Sequence, residues 1–400
     1  MNSPPAPPHP FRVLVTVGTF EPGSRGGGPV RSVANILDST SSDVKVTLVT
    51  RDRDLGSDVA YAGLSGKWVD RGLVRVFYLN TRSPRQWWEL WRKLRTTQFD
   101  LLYVNSLWDP ISSLVPIGAT RAHLLRIPQV LIAPRGELSP GALSLKVRKK
   151  ALFLKLWARV LRGGHIAWHA FTEREATEII AAIPWADTIV NQSQVSLPDE
   201  ALEPADVSFG QEVRLVYIGR ISPKKNLLLS LAALKTISTP VRLNIFGPLE
   251  DPQYWASCLD AIQELPKSVS VRYLGELEPT RVRQEFSLYD AFLFPTLGEN
   301  FGHTIAESLS ASCPVICADN TPWTQVLGAG GGRILGELSV QCLASEIEML
   351  LNLDPAERAE RRRAAGRAFK EWRRGIVGYS ILDQLRHRYS GDPADDARTI

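Results

Sequence analysis

The stretch PTLGENFGHTIAES, residues 295–308, holds two carboxylates eight positions apart, Glu299 and Glu307. The first lies in the turn Gly298-Glu299-Asn300-Phe301-Gly302-His303; the second lies in a helical run expected to begin near Thr304. The backbone amides of such a turn, with the positive end of a helix behind them, make a seat for a phosphate. Asn300, Phe301, Gly302 and His303 surround that seat, and His303 can either touch the phosphate or cap the helix. Glu299 can accept hydrogen bonds from sugar hydroxyls, and Glu307 can take both hydroxyls of a ribose. Two carboxylates flanking a phosphate seat fit a ligand with a sugar on each side of its diphosphate.

Three other turns carry residues of the same kind. GRISPKKN, residues 219–226, brings Arg220 and Lys225 to the end of a strand. A guanidinium grips two oxygens and an ammonium supplies a compact charge, so the two together suit a diphosphate. PGSRGGGPVRSV sets Gly26, Gly27 and Gly28 between a strand and a helix, where a bare backbone can come close to an anion. Its spacing is not the G-x-G-x-x-G of dinucleotide sites, which weakens a nicotinamide reading. Taken singly, these features also fit an ordinary turn and ordinary surface charge. NSLWDP and LIAPRGELSPGAL offer Asn105, Arg135 and Glu137 on the side where an acceptor would bind.

The elements that must position these residues repeat in two series. RVLVTVG (12–18), VKVTLVT (44–50), DLLYVN (100–105) and PQVLIAP (128–134) are apolar runs of the kind buried parallel strands show. A polar stretch with Pro198 and Pro204, residues 193–213, reads as a linker. The pattern then restarts with VRLVYIGR (213–220), VRLNIFG (241–247), VSVRYLG (269–275), AFLFPT (291–296) and PVICAD (314–319). This predicts an α/β chain of two doubly wound units, each with a crevice at the carboxyl ends of its strands and an active site expected between the units. A basic helical stretch, 355–388, is expected to break around Gly375 and Gly378.

Composition bounds the partners. The 400 residues are 44% hydrophobic and 22% charged, with a net charge of +5. That length predicts two domains, and no apolar run is long enough to predict a membrane-spanning helix. The Pro-rich start does not read as a secretion signal. Cys258, Cys313, Cys317 and Cys342 lack paired zinc spacing and read as core thiols in a reducing cytoplasm, so no metal site is expected. KVRKKALFLKLWARVLR (146–162) holds seven basic residues and no acidic one, and WWELWRKLR (87–95) mixes tryptophans with basic residues. Their amphipathic pattern suits an anionic membrane surface better than nucleic acid, and equally fits helices with a solvated basic face.

At these residues the chain resembles a family 4 glycosyltransferase of the GT-B fold. GRISPKKN resembles that family's Gly-Arg…Lys turn, and GENFGHTIAES resembles its E-x7-E motif. NSLWDP, APRGELSPGALSLKVRKK, WHAFTEREATEI (168–179), FGPLEDPQYWASC and TPW (321–323) resemble a subgroup linked to bacterial surface polysaccharides. The resemblance implies two Rossmann-like domains facing a central cleft. It places an acceptor-side domain at 1–198 and a nucleotide-sugar domain at 199–370. Residues 371–400 would form a C-terminal helix packing back on the first. It further implies that Arg220 and Lys225 bind the donor diphosphate, Glu299 contacts the transferred sugar and Glu307 holds the ribose. Amides around Phe301 to His303 would touch sugar and phosphate, and the Gly26–Gly28 loop would close over the phosphates. The implied reaction retains anomeric configuration, needs no metal or cofactor, and moves a sugar from a UDP or GDP donor to a glycan acceptor, lipid-linked at the inner membrane face. Asn105 stands where many relatives carry a histidine, so no general base is assigned; Ser312 stands where glycine is common. A nucleotide-sugar-binding scaffold and a sugar-nucleotide epimerase are the competing readings.

Overall fold

The computed structural model describes residues 10–23, 25–139, 142–143, 147–162, 165–191, 197–204, 212–376 and 380–390. The chain divides into two compact units, Met1–Gln194 with Gly378–Ile400, and Val195–Val377.

The first unit is built on β1 (Phe11–Val17), β2 (Val44–Arg51), β3 (Trp68–Arg71), β4 (Val74–Leu79), β5 (Leu101–Asn105), β6 (Gln129–Ile132), β7 (Ile166–Ala170) and β8 (Asp187–Val190). They form one sheet in the order β3-β4-β2-β1-β5-β6-β7-β8. Only β3 runs antiparallel, against β4. Alternate side chains of β1 feed opposite faces of the sheet. Val13, Val15 and Val17 join a core with Ile381, Leu382 and Leu385, while Leu14 packs with Leu90 and Leu94. The helix Ile381–Ser390 is thus anchored here, and Asp383 accepts hydrogen bonds from Ser41 Oγ at 2.5 Å and Ser380 Oγ at 2.8 Å. The sequence pattern anticipated β1, β2, β5 and β6 but not the other four strands. The β7 segment, IAWHA, is buried throughout, yet its Trp and His hide it from an apolar-run criterion.

The second unit holds β9 (Val213–Ile218), β10 (Val241–Phe246), β11 (Val269–Tyr273), β12 (Ala291–Phe294), β13 (Val315–Ala318) and β14 (Gly332–Leu335). All pair in parallel, in the order β11-β10-β9-β12-β13-β14. The direction of winding reverses between β9 and β12. In such sheets ligands sit beyond the carboxyl ends of the strands at that reversal. The helix Pro355–Gly375 closes the unit. Its capping box satisfies both ends of the first turn, with Glu357 N donating to Asp354 Oδ1 at 2.8 Å and Asp354 N to Glu357 Oε2 at 2.9 Å.

Part of the stretch expected as a linker belongs to this second unit. Leu202 N donates to Ser310 O at 2.8 Å, and Arg373 Nε lies 3.0 Å from Asp199 Oδ1. The rest of that stretch, 193–196 and 205–211, lies outside the described residues. Ser312, expected as a departure from glycine, does adopt a left-handed backbone, φ +53. Its hydroxyl offsets the strain by donating to Leu202 O at 2.5 Å.

Candidate functional site

The turns after β9 and β12 meet at the reversal point of the second sheet. Lys225 ends the short 3-10 turn Pro223–Lys225, and its Nζ donates to Glu299 Oε1 at 2.5 Å. Thr296 Oγ1 donates to the same oxygen at 2.9 Å and to Lys224 O at 3.2 Å, and Leu297 N donates to Lys224 O at 2.9 Å. Two loops distant in sequence are therefore sewn together by backbone and side chain. The Lys225 ammonium also sits 5.1 Å from the centre of the Phe294 ring. Burial pulls its pKa below the usual lysine value, opposed by the Glu299 carboxylate and reinforced by the charges of Arg220 and Lys224. Arg220 lies close enough for that repulsion, but its own Nη1 is turned to Glu250 Oε1 at 2.7 Å. Both expected cations are therefore at the strand ends, each with its own carboxylate. Glu250 was not singled out in the sequence; it lies on the turn after β10, where nothing local marks it.

The turn before the helix His303–Ser310 has the glycine-led backbone form expected of it. The helix His303–Ser310 starts on Gly302, φ +84, and no side chain caps its first turn. The helices that follow Ser83, Thr172, Asp251, Ser339 and Asp354 are each capped by that side chain, whereas Leu227–Leu234, like this one, is not. An uncapped first turn keeps amide N–H groups for another acceptor. The helix starts at His303, one residue before the expected position, because Gly302 can take the left-handed turn. Phe301 is held from behind: Trp323 Nε1 donates to its carbonyl at 2.5 Å, and Trp372 packs 4.4 Å from the Trp323 ring and 6.3 Å from the Phe301 ring. Asn320 Nδ2 donates to Thr296 O at 2.8 Å and steadies the other side of the turn. Sequence reasoning missed Trp372, which arrives from a helix that reads as merely basic. Glu307 lies one face down the helix, half-buried.

In the first unit, Gly26 and Gly27 lead from β1 into the helix Gly28–Asp38. That helix also begins without a side-chain cap, on Gly27 at φ +67. A side chain at Gly26 would strike Val30 Cγ2 at 2.6 Å, so the loop is packed tightly at its base. Asn105 is buried at the end of β5 and accepts from Arg135 Nε at 3.2 Å and from Arg135 Nη2. Glu137 accepts from Ser106 Oγ at 2.8 Å and Leu107 N at 2.5 Å, so both oxygens hold the turn after β5. Burial raises its pKa, and those hydrogen bonds oppose the rise. The structure therefore brings Asn105 and Arg135 together, with Glu137 bracing the adjacent turn. Tyr103, His169 and Phe171, which also surround Arg135, were not foreseen.

Residues 199–371 match the family profile described as Glycosyl transferases group 1. A stretch of 122 residues is 28% identical to the O-antigen chain mannosyltransferase B of Escherichia coli, over 29% of this chain and 31% of that protein. The chain thus aligns with about a third of the length of the curated relative it matches. Among solved structures, sucrose-phosphate synthase from Thermosynechococcus elongatus superposes with a TM-score of 0.71 at 16% identity, covering 95% of this chain and 98% of the other. Anabaena HepE, in complex with UDP and glucose, superposes with a TM-score of 0.67 at 16% identity, covering 95% and 100%. The chain has the GT-B fold of two Rossmann-like domains, and it carries a glycosyltransferase group 1 domain at 199–371.

Proposed function

We propose that the chain is a retaining family 4 glycosyltransferase of surface-polysaccharide synthesis, moving a sugar from a nucleoside-diphosphate sugar to a glycan acceptor. The observation that carries this reading is the Lys225–Glu299 pair beside Arg220, at the reversal of the second sheet and inside the matched domain. Arg220 and Lys225 bind the diphosphate and meet the negative charge that develops on it as the sugar departs, in place of a metal ion. Glu299 turns from Lys225 to the hydroxyls of the transferred sugar. Glu307 holds the ribose, and the amides of Asn300 to His303 seat the phosphates and sugar. Gly26, Gly27 and Gly28 bind the donor as well. Asn105, Arg135 and Glu137 form the acceptor side. Attack and departure on one face of the sugar retain its configuration.

The relative from Escherichia coli, an O-antigen chain enzyme, supports a polysaccharide acceptor, and the UDP held by HepE supports a nucleotide donor. UDP and GDP sugars both fit. A lipid-linked acceptor and a peripheral place at the inner membrane face are supported by the helix Pro84–Thr96. It buries Leu90 and Leu94 and exposes Arg85, Trp88, Arg92, Lys93 and Arg95. Much of the other basic helix, Val147–Leu161, has side chains outside the described residues. Among the described residues no helix is long and apolar enough to cross a membrane.

Thermal-shift titration with UDP, GDP and ADP, without metal, tests the reading. A ligand at 100 times its dissociation constant stabilises by about 2.7 kcal/mol. One nucleotide is expected to raise Tm selectively, and Glu307→Ala and Arg220→Ala to abolish the shift. No response to any nucleotide would overturn the donor assignment.

A further inference from the structure

Arg135 occupies the turn after β6 with a left-handed backbone, φ +57, followed by Gly136 at φ +78. A non-glycine residue there carries about 1–2 kcal/mol of strain. Such strain persists only where surroundings impose it, and it gathers at functional sites. The surroundings are specific. The guanidinium carbon stacks 4.1 Å from the centre of the Phe171 ring. Nη2 donates to Tyr103 Oη at 2.9 Å, and Nε and Nη2 donate to Asn105 Oδ1. Tyr103 is itself fixed by His169 Nδ1 at 2.7 Å.

None of these partners carries a negative charge. His169 is held neutral, its pKa lowered to about 3 by burial and by the Arg135 charge, and Tyr103 is raised to about 12 by burial. The acidic residue facing the group is Glu175, whose oxygens accept from Gly136 N at 2.7 Å and Phe171 N at 2.8 Å and which reaches the guanidinium only through space. Nη1 is shielded from solvent and, among the described residues, has no hydrogen-bond acceptor. A cation in that position is costly to keep. Arg135 as a whole is only half-buried, so its turn is reachable from outside.

We propose that Arg135 is an anion-recognition residue, and that the acceptor carries a phosphate or carboxylate group that completes its coordination. The word acceptor rests on the glycosyl-transfer reading; the anion site does not. Nε and Nη2 are already engaged, so the two N–H groups of Nη1 are the donors left for such an anion. Asn105 and Tyr103 act as positioning residues that aim it, with Phe171 as its floor.

Inorganic phosphate and, in a separate arm, glucuronate are titrated into Arg220→Ala, which disables the donor phosphate seat, and into Arg220→Ala with Arg135→Met. Tm is the readout. At least one anion is expected to stabilise the first protein, with an apparent Kd weakened roughly tenfold or more in the second, as the loss of a charge-assisted bond implies. A response to phosphate alone assigns a phosphorylated acceptor; a response to glucuronate alone assigns an acidic sugar. Equal responses in the two proteins, or none in the first, overturn the proposal. If the methionine variant does not fold, Arg135→Lys makes the same comparison, since it keeps charge but loses the fork. Nucleotide titration of Arg135→Met in the otherwise native chain stands apart. Its failure along with that of the native chain removes the transferase reading and leaves the phosphate arm readable.

Discussion

The Lys225 ammonium lies 2.5 Å from Glu299 Oε1, and each side chain is only 11% exposed. This one ion pair ties the turn after β9 to the turn after β12 at the point where the sheet reverses. The structural brace and the proposed donor chemistry therefore use the same two residues.

Removing one partner leaves the other charged in a mostly buried place. Lys225→Met is expected to destabilise the protein by about 3–5 kcal/mol. Adding Glu299→Gln should recover most of that loss, because both charges are then gone, while sugar transfer stays absent. Urea unfolding of the two single variants and the double variant gives the coupling energy. Strict additivity would mean that the pair is not formed in solution.

Arg220 is half-exposed and its pair with Glu250 faces solvent, so it adds little to stability. Arg220→Ala should keep the native Tm within a degree or two, yet lower kcat by about 10²–10³ if it meets charge developing on the leaving diphosphate. Turnover at the native rate would remove it from the mechanism.

His169 gives the fold a predictable acid limb. Its folded pKa is lowered to about 3 by burial, whereas an unfolded histidine titrates near 6.5. Above pH 6.5 both states are neutral at this residue, and it adds nothing to the pH dependence. Below that value the unfolded chain takes up a proton that the folded chain refuses, so stability falls by about 1.4 kcal/mol per pH unit until about pH 3. Stability of His169→Gln, measured by urea at pH 6, 5 and 4, should show a shallower slope by that amount. Identical slopes would place the folded His169 near its ordinary value.

Gly302 sets the turn that opens the helix His303–Ser310, the proposed phosphate seat. A Cβ there would lie 3.1 Å from Ile305 Cδ1 and 3.2 Å from Trp323 Nε1, on a backbone at φ +84. Gly302→Ala is expected to cost about 1–2 kcal/mol of stability and to weaken nucleotide binding as the helix start shifts. Calorimetric titration with the preferred nucleotide, alongside Tm, reads both effects. Native values of each would show that the turn tolerates a side chain.

Much of the second unit was legible in its residues. Strands with runs such as AFLFPT announce themselves by continuous burial, and GENFGH marks a strand-to-helix turn by its glycines. The left-handed Gly302 and the uncapped helix follow from the same glycine-rich turn. The first unit was less legible. The β3–β4 pair, β7 and β8 are short or carry Trp, His and charged residues, so their burial depends on neighbours rather than on composition. Glu250, Thr296 and Trp372 left no local mark, because what they touch lies far along the chain.

By itself the sequence determined four strands of the first unit, the strands β9 to β13 of the second, the break near Gly375, and the residues available at those strand ends. Local hydrophobic periodicity and turn chemistry suffice for these. Only the tertiary structure decided the pairings. Lys225 meets Glu299 across 74 positions, Arg220 meets Glu250 across 30, and Arg135 meets Asn105 across 30. Those contacts depend on strand order, since parallel neighbours bring together turns that no sequence window contains.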